Sequence, residues 1–220
     1  MNKPLKLPNN TIFVGCSHLD HKQPFLWQKR GFPSPEAHAD YICDEIAVYY
    51  CANPTAVMVH LGDGFLNSTP ERARAYFARW TIPTYYLWGN HEGPSFQLYK
   101  AALLARGMQP GEEVYPTKID NVTFLGTEAT LSIDKQHIVA CHFPLAIWNQ
   151  SHHAVWHVHS HCHGSYPESL PNHLDLKRLE CGVEVCMQTV GKPYITFAQI
   201  KTIMDRKKVH KVDHHDSQTG

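Results

Sequence analysis

Long apolar runs are missing from this chain: none of its 220 residues lies in an apolar window of the roughly 20 residues that a helical membrane span needs. Residues 1–10 carry lysines and prolines without the apolar stretch of a signal peptide, so a cytoplasmic protein with no membrane partner is expected. An excess of charge is missing too. Lys plus Arg number 20 and Asp plus Glu number 20, which leaves no global field to hold duplex nucleic acid. The 7 cysteines form no Cys-x-x-Cys pair and no even spacing, which argues against a disulfide framework and leaves reduced thiols, one of them available to a metal.

What the chain does have is histidine, 17 in all, a number that asks for either metal chemistry or a tag-like accident. Position separates the two. His210, His214 and His215 sit in a polar tail, residues 205–220, that lacks any apolar period and is expected to be disordered. The remaining length, residues 1–204, suits one domain. Residues 11–15 and 57–61 read as short buried strands that end in Gly and polar residues. Between them, Ser34 and Pro35 mark a helix start, as N-cap and first helical residue. Residues 70–80 and 94–106 read as further helices, the second closed by Gly107, and residues 84–88 as a strand. From Asn121 onward the pattern predicts strands at 122–125, 129–133, 138–141, 155–159 and 194–198, with hardly any helix. Two sheets packed together and flanked by helices accommodate this α/β pattern.

Polar clusters at or after these apolar runs hold metal-ligand types. Cys16 and His18, two apart at the end of an extended strand, point the same way, although a buried cysteine beside a loop histidine is the plainer reading of that pair alone. Asp63, in Leu-Gly-Asp-Gly, is either an ordinary turn residue or a carboxylate able to bridge two cations. Asn90 and His91, within Gly-Asn-His-Glu, place an amide oxygen beside an imidazole; a helix cap and a loop histidine are the plain alternatives. His142 closes the 138–141 strand. The run His157, His159, His161 and His163 alternates along one strand face, which puts metal binding ahead of a solvated ladder.

This ordered set resembles the calcineurin-like metallophosphoesterases, whose pattern is Asp-x-His, Gly-Asp, Gly-Asn-His-Asp/Glu, a lone His and Gly-His-x-His. Residues 15–21 are similar to the Ser-Asp-Thr-His-Phe-Gly-His opening of the small bacterial and phage-type branch, and Cys181-Gly182-Val183-Glu184 resembles that branch's C-terminal Val-Gly-Val-Asp strand. The resemblance spans roughly residues 11–200. It implies a four-layer αββα fold carrying two divalent or trivalent metal ions, with Fe, Zn or Mn the expected elements. Cys16, His18, Asp63 and His163 would hold the first ion and Asp63, Asn90, His142 and His161 the second. His91 would meet the phosphate as acid or oxyanion partner. The implied activity is hydrolysis of a phosphoester, a small or nucleotide-type phosphodiester foremost, with His21, Trp27, Phe32, Trp88, Trp148 and Tyr166 as candidate pocket residues.

Two positions depart from the pattern. Ser160 replaces a glycine, which is mild if its φ is negative. Cys16 replaces the first aspartate: a thiolate keeps the charge but favours softer ions, and Asp20 lies outside the two-residue spacing that could replace it. The departure keeps open a catalytically impaired fold that binds a phosphate ligand or a protein, and a third reading in which the histidines hold structural zinc.

Overall fold

The computed structural model describes residues 3–166 and 176–209. The described residues form eleven strands: β1 (Leu5–Leu7), β2 (Ile12–Val14), β3 (Met58–His60), β4 (Thr84–Tyr86), β5 (Thr117–Ile119), β6 (Val122–Phe124), β7 (Glu128–Ile133), β8 (Gln136–Cys141), β9 (Trp156–His159), β10 (Arg178–Glu180) and β11 (Ile195–Thr196). The α-helices are α1 (Pro24–Lys29), α2 (Pro35–Ala52), α3 (Pro70–Trp80), α4 (Gly93–Ala105), α5 (Val183–Val190) and α6 (Phe197–Met204). The strands form two mixed sheets, β11-β2-β3-β4-β6-β5 and β1-β7-β8-β9-β10. Strands β2, β3, β4 and β6 run parallel, as do β8, β9 and β10.

Alternation along the inner strands builds two apolar layers. In β2, Ile12 and Val14 face the helices while Phe13 faces the other sheet; in β3, Met58 and Val59 divide in the same way. Being buried on both faces, these strands read as continuous apolar runs. Helices α2, α3 and α4 cover one face of the first sheet through Ile42, Ile46, Phe77, Trp80 and Tyr99. Between the sheets lie Phe13, Val59, Leu61, Leu131, Ile138, Trp156 and Val158, closed on one side by Phe197, Ile200 and Met204 of α6. The far face of the second sheet carries a smaller cluster of Val139, Trp148 and Val155.

The helix starts follow their caps. Ser34 Oγ accepts from the Ala37 amide at 3.1 Å with Pro35 following, and Thr69 Oγ1 accepts from the Arg72 amide at 3.3 Å with Pro70 following. Both expected starts are where the sequence puts them. The second half is more helical than expected. The strand anticipated at 194–198 stops after Thr196, because Thr196 and Gln199 form a reciprocal capping box that launches α6. The Cys181–Glu184 stretch is likewise not a strand: Gly182 caps α5, and the Val183 amide donates to Gly15 O at 3.0 Å. Strands β1, β5 and β10, which charged residues interrupt, and the six-residue helix α1 had no clear signal. The start of the polar tail is ordered as far as Val209, with the Lys177 amide donating to Lys208 O at 3.1 Å and Lys207 Nζ to Arg178 O at 2.5 Å. Residues 210–220, with His210, His214 and His215, lie outside the described residues. No helix among the described residues is long and apolar enough to cross a membrane.

Trp80 is fully buried, stacked on His60 at 5.5 Å and on Phe65 at 6.0 Å and meeting Phe77 edge-on at 5.2 Å. Trp80→Ala should lower the unfolding free energy by about 3–5 kcal/mol, read from the shift of a urea transition at unchanged slope.

Candidate metal centre

The parallel strands deliver polar residues to one end of the sandwich. After β2 the chain passes Gly15 into Cys16 and His18, after β3 into Asp63, after β4 into Asn90 and His91, after β8 into His142, and after β9 into His161 and His163. The geometry at the first of these differs from an extended strand. Cys16 and His18 are left-handed, with φ of 51° and 46°, as are Asp63 (56°), His161 (71°) and His163 (49°). Such φ values are uncommon for side-chain-bearing residues and gather where the surroundings hold them for function. Cys16 and His18 do converge, but by this turn and not by strand alternation. The turn is held by amides that continue the sheet: Cys16 N donates to Gly62 O at 3.0 Å, His18 N to Asp63 O at 3.0 Å and Leu19 N to Gly64 O at 2.8 Å.

Two groups of donors lie with their ligand atoms within 4.8 Å of one another: Cys16, His18 and His163, and Cys16, Asp63 and His142. Asp63 Oδ2 stands 3.8 Å from His18 Nε2 and 3.3 Å from His142 Nε2, so one carboxylate oxygen touches both groups. Asn90 Oδ1 lies 2.9 Å from His142 Nε2, and His161 Nδ1 lies 3.1 Å from the same nitrogen. His163 Nε2 is 3.3 Å from His18 Nε2. All seven candidate ligands are thus brought together.

Hydrogen bonds on the far side of the rings decide what these atoms offer. His142 Nδ1 donates to Leu61 O at 2.8 Å, so its Nε2 faces the oxygens of Asn90 and Asp63; a proton or a cation is needed between them. His163 Nδ1 donates to Glu184 Oε1 at 2.7 Å, a carboxylate–histidine pair that aims Nε2 into the site. His18 is different. Its Nδ1 is buried with no hydrogen-bond partner among the described residues, and burial first of all holds its pKa well below the ordinary value, which keeps the ring neutral. Burial opposes the charge on Asp63, yet His142, the His91 amide and His18 together hold its carboxyl well below the usual range. Imidazoles, an ionised carboxylate, an amide oxygen and the Cys16 sulfur are the donor set of a borderline cation. The residues fit a metal.

Two further residues shape the floor. Glu92 is buried and accepts from the Asp63 amide at 2.5 Å, the Gly89 amide at 3.0 Å and Tyr86 OH at 2.8 Å; burial raises its pKa to about 7. It ties the Asp63 turn to the Asn90 turn, and a Cβ on Gly89 would overlap the Asp63 carboxylate between them. Ser160 has no positive φ; its hydroxyl donates to Leu61 O at 2.7 Å, joining the ends of β9 and β3, and its Cβ fills the space that Gly15 leaves.

The histidine ladder divides. His157 and His159 are buried and stacked on each other at 5.3 Å, with His157 bonded to Val139 O and the Leu145 amide, both at 3.0 Å. They belong to the outer face of β9, because the chain leaves the strand at Ser160 and turns left-handed at His161, which sends only His161 and His163 into the site. His91 is exposed, its ring 5.9 Å from that of His18 and its amide donating to Asp63 Oδ1 at 2.8 Å. Asp20 is fully engaged elsewhere, accepting from Ser68 Oγ at 2.5 Å, Tyr76 OH at 2.7 Å and Arg72.

The expected aromatic pocket is largely core. Trp88 stacks on Phe124 at 4.8 Å, Trp148 bonds Val155 O, Trp27 is buried, Phe32 packs on His38 and Tyr41, and Tyr166 lies against His159 and Arg178. Only His21 borders the site, 6.1 Å from the His18 ring. The exposed aromatics at the mouth are instead Phe143, 4.5 Å from the His161 ring, and Phe25, 5.2 Å from that of His21. Beside His91 opens a cleft of about 400 Å³ bounded by Phe65, Leu66, Asn67, Ser68, Pro94 and Gln97.

No protein-family model matches the chain, and no curated protein matches it. Its fold is similar to a solved structure described as the protein of unknown function AQ665 from Aquifex aeolicus, with a TM-score of 0.58 and 13% identity over 88% of this chain and 98% of that one. At that identity the likeness concerns the fold alone: two mixed sheets flanked by helices.

Glu92→Ala would strand three buried donors, the amides of Asp63 and Gly89 and the Tyr86 hydroxyl. A loss of about 3–5 kcal/mol in chemical denaturation is expected, at roughly 1–3 kcal/mol per unpaired donor with partial relaxation.

Proposed function

We propose that the protein is a metal-dependent phosphoesterase built on the four-layer metallophosphoesterase plan, hydrolysing a phosphodiester by preference, with a small or nucleotide-type leaving group. The observation that carries this reading is Asp63 Oδ2 placed between His18 and His142, with Cys16 and His163 on one side and Asn90 and His161 on the other. One ion would be held by Cys16, His18, Asp63 and His163, and a second by Asp63, Asn90, His142 and His161. Bound there, a pair of cations supplies Lewis acidity for the phosphoryl oxygens and lowers the pKa of a water for in-line attack.

The chain's own residues do the rest. Leu61 O and Glu184 orient the rings of His142 and His163 by accepting hydrogen bonds from their Nδ1. Asp63 orients His91 by accepting its amide, which leaves the exposed imidazole free to donate a proton to the leaving oxygen or a hydrogen bond to a phosphate oxygen. The cleft beside His91 offers room for the leaving group, and the exposed ring of Phe143 offers a planar face for a base.

A second reading rests on Cys16. Burial and the nearby Asp63 push its thiol well above the ordinary range, and its sulfur accepts from the His161 amide at 3.1 Å. A neutral thiol there would leave the first position short of charge and the fold a phosphate-ligand or protein-binding module. A bound cation reverses this, because coordination deprotonates a thiol outright.

Chelator should abolish hydrolysis of a generic diester, and added manganese, iron, zinc or cobalt should restore it. His91→Ala should keep its metal while turnover falls about 10²–10⁴-fold, whereas Asp63→Ala should lose both metal, by elemental analysis, and activity. No turnover of diester or monoester with any of these metals would leave the binding module as the function.

Cys16→Asp should keep activity and move metal preference toward manganese or magnesium, since a carboxylate is the harder ligand. Alkylation adds a separate readout: the Cys16 thiol should be protected with metal bound and become modifiable after chelation. Equal labelling in both states would exclude coordination by sulfur.

A further inference from the structure

Arg30 is the most deeply buried cation near the candidate centre, with a fully buried side chain, and it belongs to neither sheet. It follows the end of α1, where its own amide donates to Leu26 O at 3.2 Å. Its guanidinium makes four contacts: Nη2 donates to Cys16 O at 2.7 Å and pairs with Glu184 Oε2 at 2.9 Å, and Nη1 donates to Ser17 O at 3.0 Å and meets His38 Nε2 at 2.8 Å. Nε has no partner among the described residues. Taking a guanidinium out of water is costly, and a methionine of similar volume would fill the space with less desolvation. What the charge provides at this place is therefore informative.

Backbone accounting around residue 16 shows what that is. The amides of Cys16 and His18 are taken by the β3 loop, at Gly62 O and Asp63 O. Their left-handed turn points the carbonyls of Cys16 and Ser17 away from any strand, and Arg30 receives both. On its other side the same guanidinium fixes Glu184, the carboxylate that orients His163. His38 contributes no competing positive charge, because burial and Arg30 lower its pKa to about 3. One side chain thus grips the turn carrying Cys16 and His18 and the support of His163, donors that arrive from segments 145 residues apart.

We propose that Arg30 is a positioning residue of the first metal position, acting through Glu184 and the carbonyls of Cys16 and Ser17 to hold Cys16, His18 and His163 in one frame. This rests on the metal-binding reading above and extends it to a residue outside the ligand set. Asn90, His142 and His161 of the second position have no contact with Arg30, and that position is linked to the first only through the shared Asp63.

The test is a titration of metal-free protein with zinc, counting ions per chain and reading an affinity for each. Arg30→Met and Glu184→Gln should each weaken one of the two ions about 10–100-fold, the range for supports of metal ligands, and the other by a clearly smaller factor, since the two positions are coupled only through the shared Asp63. The affected ion should be the one that His163→Ala weakens and not the one that Asn90→Ala weakens. His163→Ala combined with Glu184→Gln should bind no more weakly than His163→Ala alone. Glu184→Gln keeps the shape and one acceptor oxygen for His163 Nδ1 while removing the charge that faces Arg30, so it carries the test even if Arg30→Met fails to fold. Wild-type affinity for both ions in folded variants, or equal weakening of both, would overturn the positioning role. A wild-type chain that binds no zinc would instead overturn the metal centre itself, so the two failures are told apart.

Discussion

The site depends on one demand: a carboxylate must reach imidazoles from two different sheets without the backbone around it collapsing. Asp63 meets it from a left-handed turn, with φ of 56°, its side chain facing His18 and His142 and its amide bound by Glu92. Everything nearby serves that posture. Gly89 lacks a side chain so that the carboxylate fits, Glu92 joins the Asp63 and Asn90 turns, and Leu61 O, one residue before Gly62, anchors both His142 and Ser160. The distances are short and the groups buried, so small displacements would separate the donors.

Two apolar layers make such a posture affordable. One lies between the first sheet and α2–α4, the other between the two sheets, and both are filled by strands apolar on both faces. Parallel pairing of β2, β3 and β4, and of β8 and β9, puts the carboxyl ends of these strands on one side, where loops are free to carry polar residues. The sandwich therefore acts as a rigid base, and the left-handed Cys16, His18, Asp63, His161 and His163 stand beyond the carboxyl ends of its strands. In isolation those turns would relax; held by the amides of Cys16, His18 and Leu19, they cannot.

Much of this was legible in the chain. Ser34-Pro35 and Thr69-Pro70 announce α2 and α3 by local capping chemistry, which acts within four residues and so is written in order along the sequence. The same locality explains a miss: Thr196 and Gln199 form an equally local capping box, yet the apolar run around them suggested a strand. Strands β1, β5 and β10 gave no signal because charged residues interrupt them (Lys6, Lys118, and Arg178 with Glu180), whereas the equally short β2 and β3 lie in apolar runs. Each aromatic candidate is individually more often core than pocket, and Trp88 and Trp148 are core, where their area is worth more than at the surface, while Phe143 and Phe25 line the mouth.

By itself the sequence determined the inventory: which donors exist, in what order, each beside a strand that would carry it to a common edge. Spacing alone could not determine which donors meet, although the resemblance named His161 and His163. His157, His159, His161 and His163 are equivalent in spacing, and only the left-handed turn after Ser160 separates the buried pair from the pair in the site. That turn is set by contacts far along the chain, such as the His161 amide on the Cys16 sulfur and His163 beside His18. Arg30 and Glu184 are the same case: an arginine after a short helix and a glutamate in another acquire their meaning only when folding buries them against each other. Strand and cap propensities are local energies and can be read in one dimension; the pairing of buried charges is a tertiary energy, present only when water has been excluded from both partners at once.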